Sequence, residues 1–155
     1  MANLDSFNAK WTPRLLSVLR IMAAFLLMQH GAQKLFGLLS PPPPPPASAL
    51  TPQTALLLLW TLRVAGVLEF CGGLLVLLGL FTRPVAFLLS GMLAVAYFMT
   101  HAPMGFWPIL NKGELAVIYC FVFLYLSVAG GGVWSLDYLR RRDAGPAPGA
   151  GRDER

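Results

Sequence analysis

Few residues in this apolar chain could do chemistry, and they are unevenly placed. Between Ser6 and Leu136 the only acidic residues are Glu69 and Glu114, and the chain's two histidines are His30 and His101. Glu69 lies near the start of an apolar, helix-length run, GVLEFCGGLLVLLGL, from Gly66 to Leu80. A charge at bilayer depth costs roughly 2.5–3.5 kcal/mol on insertion scales, so it marks a function and needs a partner. Gly66, Glu69 and Gly73 are spaced i, i+3, i+7 and share one helical face. Glycines there let a second helix approach closely, so this face is expected to point into a helix bundle and not into lipid.

On the first apolar segment His30, Lys34 and Gly37 are spaced i, i+4, i+7 and share a face. Asn111 and Glu114, at i and i+3, open the last one. With His101 these residues make an expected polar cluster at one membrane level: His30, Lys34, His101, Asn111 and Glu114. Arg20 and Glu69 make an expected deeper pair. One reading is structural: Arg20–Glu69 and Lys34–Glu114 are ion pairs that set helix register. The other is a pocket whose two imidazoles gain or lose protons near neutral pH. It could hold a quinone carbonyl or another small amphipathic ligand, with His and Lys as donors. The spacing does not choose between ligands.

Haem and metal fit less well. His30 and His101 could be axial haem ligands, but each stands at a helix end beside polar or loop residues. A metal on His30, His101 and Glu114 would be opposed by Lys34 and Lys112. No metal site is therefore expected. No flavin, haem or iron–sulfur motif is present, so in a redox role the electrons would come from a partner protein.

The elements that must position these residues follow from composition. The chain has 155 residues, 56% hydrophobic and 12% charged, with a net charge of +5, and a mean hydropathy of +0.62. Soluble domains carry about 25% charged residues, so this is an integral membrane composition. The basic residues are scattered or terminal and form no aromatic-interleaved patch, which excludes a nucleic-acid interface. Cys71 and Cys120 lie in apolar segments without a CxxC and read as inert buried thiols.

Four spans are expected, at about 15–36, 60–80, 85–100 and 114–129, after a short lead-in (1–14) and before a basic, disordered tail (140–155). The first could be taken for a secretory signal, but no small-residue cleavage site follows its apolar stretch, so it is kept as a helix. Pro41–Pro46 is expected to be a stiff spacer in the first loop, with a docking strip for a partner as the alternative. Thr51-Pro52 starts a helix, with a short interfacial turn expected at 54–59 before the second span. Lys10, Arg14, Arg83 and Arg140–Arg142 fall on one side of such a four-span chain, and only Lys112 lies in the loops of the other. The expected fold is therefore an all-α, up-down-up-down four-helix bundle with both termini in the cytoplasm.

At these residues the chain resembles the DoxX family of small four-helix bacterial membrane proteins. The resemblance is carried by LRIMAAFLLMQHGAQKLFG (Leu19–Gly37), GVLEFCGGLLVLLGLFTRP (Gly66–Pro84) and NKGELAVIYCFVFLYL (Asn111–Leu126). The family pattern has an early Arg, an HGxxKLxG turn, a Glu before Gly-Gly, GL-x-TR, and an NGGE-like opening of the fourth helix. Here these are Arg20; His30-Gly31, Lys34 and Gly37; Glu69 with Gly72-Gly73; Gly79-Leu80 with Thr82-Arg83; and Asn111 with Gly113-Glu114. Lys112 stands where a glycine is more usual, and the proline loop and tail are peripheral departures. The resemblance implies a multi-pass protein of the bacterial inner membrane. Similar proteins are described as membrane subunits of redox systems, including a thiosulfate:quinone oxidoreductase and a superoxide-detoxifying complex. It thus implies a lipid-embedded partner of other redox subunits, and small-residue faces permit a homodimer. The alternative is a non-enzymatic membrane protein: a small-ligand carrier, an assembly factor or a stress-response factor.

Overall fold

A computed structural model describes residues 2–38 and 51–143. The proline spacer and the tail beyond 143 lie outside the described residues. Helix α1 runs from Ala2 to Phe36, so the expected lead-in is helical from its start. Pro13 sits inside it and cannot donate to the turn before. Side chains brace that turn: Arg14 donates to the Lys10 carbonyl and Ser17 Oγ to the Pro13 carbonyl, each at 2.9 Å.

Helix α2 comprises Pro52–Val67, a π-helical turn Leu68–Gly72 and Gly73–Leu78. The turn of helix expected at 54–59 is helical and runs on into the second span without interruption. The stretch QTALLLLWTLR holds no glycine or proline and is rich in strong helix formers, so nothing interrupts it. Gly79 closes α2 in the left-handed conformation, φ 71°. Helix α3 is Thr82–Ala96, continued by a π turn Tyr97–His101 and a 3₁₀ turn Ala102–Met104. A single helical turn, Pro108–Asn111, leads to α4, Glu114–Ala129. Gly130–Gly132 ends α4, and a further helix, α5, spans Leu136–Asp143. Residues 140–143, expected to open a disordered tail, form the last turn of α5.

All regular structure among the described residues is helical. Three stretches, Asp5–Phe36, Leu58–Leu78 and Thr82–Met104, are long and apolar enough to cross a bilayer. Helix α4, with 16 residues, is about 24 Å long at 1.5 Å per residue, short of a hydrocarbon core of about 30 Å. Phe25, Phe87, Leu88, Phe121 and Val128 are exposed on the outer faces. Such large apolar surface suits lipid and not water.

Helix α1 packs on α2, and α3 packs most extensively on α4. Between them lies a core of Ala24, Leu27, Val76, Leu89, Phe123 and Leu126. Glycines set the α1–α2 register. A Cβ on Gly31 would stand 2.5 Å from the Phe70 nitrogen and 2.8 Å from the Gly66 carbonyl oxygen. One on Gly73 would stand 2.6 Å from Met28 Cγ and 3.3 Å from the Ala24 carbonyl oxygen. As residue number rises on α1 it falls on α2, so the two run antiparallel. The Gly66/Glu69/Gly73 face therefore meets α1, in agreement with its spacing.

Candidate functional site

The register decides what Glu69 meets. Glu69 is buried within the π turn of α2 and forms an ion pair with Lys34 of α1. The Lys34 side chain is 28% exposed and that of Glu69 is 6% exposed. Only Oε1 is engaged; Oε2 is buried without a hydrogen-bond partner. Gly66 lies under the pair: a Cβ there would stand 3.0 Å from Lys34 Cβ. A larger residue at 66 would push α1 away and part the two charges.

This overturns both expected pairs, Arg20–Glu69 and Lys34–Glu114. Arg20 lies opposite Val76 and Leu77, the latter eight residues beyond Glu69 on α2. At 1.5 Å per residue that is roughly 12 Å along the axis, beyond reach of a hydrogen bond. Its guanidinium is fully buried and is spent on backbone. It donates to the Val76 and Leu77 carbonyls, to Gly131 O at 2.8 Å and to Trp134 O at 2.6 Å. Arg20 thus caps the C-terminus of α2, where a cation also complements the helix dipole. It ties the glycine loop after α4 to the same point.

The five-residue outer cluster is not assembled as one group. His30 is half-buried, one turn before Lys34 on α1, and meets Tyr119 of α4 edge-on at 6.4 Å between ring centroids. His101 stacks on Tyr97 at 6.1 Å and 22°. Its Nδ1 lies 2.9 Å from the Asn111 carbonyl oxygen. A carbonyl only accepts, so Nδ1 carries the proton. Asn111 is buried and organises the α3–α4 loop. Its amide donates to Gly105 O at 2.7 Å and to the Tyr97 hydroxyl at 3.2 Å, and its Oδ1 accepts from Gly113 N–H at 2.8 Å. Lys112 takes the left-handed conformation, φ 58°, at the tip of this loop. Glu114 is exposed in the first turn of α4, where a carboxylate favours the helix dipole. Among the described residues no three His, Cys, Asp or Glu side chains gather as a metal site requires.

What the fold does bring together is Lys34 and Glu69, with His30 one turn away and Tyr119 closing on it. A cation, a carboxylate with a free oxygen, and an imidazole can donate to, accept from and exchange protons with a polar headgroup. Tyr119 was missed because a tyrosine in an apolar helix looks like core. Asp137 was missed for another reason: it caps a helix other than its own. Its carboxylate accepts from the Phe81 and Thr82 N–H groups at 2.9 and 2.8 Å, at the start of α3. Burial pushes this carboxyl up. Those hydrogen bonds and the Arg141 charge outweigh burial and hold it below the ordinary carboxylate value.

The profile of the family described as DoxX matches residues 15–102. A Haemophilus influenzae relative, described as an uncharacterized protein, is 41% identical over 140 residues, covering 88% of this chain and 96% of that one. No solved structure matches the chain.

Proposed function

The chain belongs to the DoxX family, and from that premise we propose that it is the membrane subunit of a quinone-linked redox complex in the bacterial inner membrane. The observation that carries this reading is the Lys34–Glu69 pair, with Glu69 Oε2 buried and unpartnered. A buried carboxylate oxygen without a donor is costly, so it is a place where a ligand hydroxyl or a proton is wanted. A quinone, when bound, supplies two-electron, two-proton chemistry. Lys34 donates a hydrogen bond to a ring carbonyl, and Glu69 Oε2 accepts from a ring hydroxyl. His30 exchanges the proton with solvent-side groups. The exposed side of Lys34 is the entry, and electrons come from another subunit of the complex. Four spans with both termini cytoplasmic are the topology that the basic residues favour.

The test is quinone content. The protein is purified from membranes in mild detergent, and its extract is analysed by mass spectrometry. The expected result is near-stoichiometric quinone, lost in Lys34→Ala and Glu69→Gln variants that still purify as folded protein. Equal quinone content in all three would overturn the assignment. A second reading, a non-enzymatic carrier, assembly or stress-response factor, is favoured by a different observation. His101 and Asn111 spend their polar groups on the α3–α4 loop, and Glu114 is exposed. Quinone-free protein, with an assembly or export defect and intact respiration in a deletion strain, would select that reading.

A further inference from the structure

The end of the molecule remote from Lys34–Glu69 carries a second feature. A groove of about 450 Å³ runs between the Pro13–Leu16 turn of α1, the start of α3, the end of α4 and α5. Pro13 and Leu16 line its apolar side, and Arg83, Arg141, Arg142 and Tyr138 line its polar side. A neighbouring groove of about 320 Å³ shares Arg83 and Arg141 and adds Arg140. Arg140 also lies 5.7 Å over the Phe81 ring. Two carboxylates are near in sequence. Asp137 is committed to the N–H groups of Phe81 and Thr82, and Asp143 ends α5 outside both grooves. Among the described residues the Lys34–Glu69 pair is the one ion pair; Asp137 lines the smaller groove and senses the Arg141 charge, but neither it nor Asp143 forms an ion pair with these arginines. Arg141 Nε donates to the Asp137 backbone oxygen at 3.2 Å, leaving its terminal nitrogens free.

The surroundings give this cluster its meaning. Trp134, Tyr138 and Leu139 are exposed beside it, as aromatic and apolar groups at a membrane–water boundary are. Leu16 belongs to the stretch of α1 that is apolar enough to span. The groove therefore joins a cationic mouth to an apolar wall at the level where lipid phosphates lie. Planar guanidinium groups bind phosphodiesters bidentately, and basic pockets between helices on the cytoplasmic side suit anionic headgroups. We propose that this groove binds one anionic phospholipid of the surrounding leaflet. Its phosphate is held by Arg83, Arg141 and Arg142, and its first acyl carbons lie along Pro13 and Leu16. The site is independent of the Lys34–Glu69 pair and of any redox role.

The test compares lipids on delipidated protein in neutral detergent. Phosphatidylglycerol should raise the unfolding temperature at low micromolar concentration, and phosphatidylcholine should not. The exposed double variant R83Q/R142Q keeps Arg141 and should fold with an unchanged lipid-free unfolding temperature. Each arginine near an anionic surface is worth about fivefold in affinity, so the double variant should need roughly 25-fold more phosphatidylglycerol for the same shift. Equal shifts from both lipids, or an unchanged midpoint in the variant, would overturn the proposal. A full shift from inorganic phosphate or glycerol phosphate alone would also overturn it, because the occupant would then be a soluble anion.

Discussion

Replacing Arg20 by methionine removes the donor side of four hydrogen bonds at one buried point. A hydrogen bond from a charged donor is worth about 1.5–3 kcal/mol, so simple addition would give roughly 6–12 kcal/mol. That overstates the loss, because burying the guanidinium itself costs several kcal/mol and methionine is relieved of that cost. What remains is the stranding of carbonyls at the end of α2 and in the glycine loop, with Gly131 and Trp134 no longer tied to α1. The expected net loss is about 3–5 kcal/mol, comparable to breaking a buried pair. Domain stabilities are of order 5–15 kcal/mol, so Arg20→Met should fold marginally. Arg20→Lys, with at most three donors and no planar fork, should recover less than half of the difference. The assay is thermal unfolding in a fixed detergent, run as two double-mutant cycles. Arg20→Met with Glu69→Gln should be additive within about 0.5 kcal/mol, because the two sites have separate partners. Lys34→Ala with Glu69→Gln should show coupling above that value. An Arg20→Met loss under about 1 kcal/mol, or strong Arg20–Glu69 coupling, would refute the reasoning.

Three further outcomes follow from the same geometry. Asp137 has its carboxyl depressed, so the stability it adds is present above about pH 4, near the unfolded value, and is lost as pH falls below that. Asp137→Asn should cost about 1–2 kcal/mol at pH 7, as a lost helix cap does, and should flatten the acid limb of a stability–pH profile. Gly31→Val puts a branched side chain against the Phe70 backbone nitrogen; it should cost about 1–3 kcal/mol through overpacking and lower the yield of folded protein from membranes. Asn111→Ala strips the partners of Gly105 O and Gly113 N–H. It should cost about 2–4 kcal/mol and raise protease cleavage in the α3–α4 loop.

Composition and pattern were enough for the coarse answer. An apolar chain with scattered charges has to place its helices in lipid, and the order of HGxxKLxG, Glu-x-x-Gly-Gly and GL-x-TR was enough to recognise the DoxX family. The spacing of Gly66, Glu69 and Gly73 was enough to say that Glu69 faces another helix, because helical periodicity is a local property. The partner of Glu69 was not local. Depth along each span favoured Arg20, and the close fit of Gly31 on Gly66 and Phe70 decided for Lys34. One turn of slip in that contact would have changed the pairing, and no single-helix pattern encodes such a slip. Residues of the expected outer cluster also took other partners. His101 bonds the Asn111 carbonyl, and the Asn111 side chain bonds Tyr97, Gly105 and Gly113, all near in sequence, which costs less chain entropy than meeting α1. The capping of α2 by Arg20, the capping of α3 by Asp137 and the arginine groove beside α5 are contacts between segments far apart in sequence. Residue type showed that such polar groups must find partners. Only the packing of one helix against another determined which partners they found.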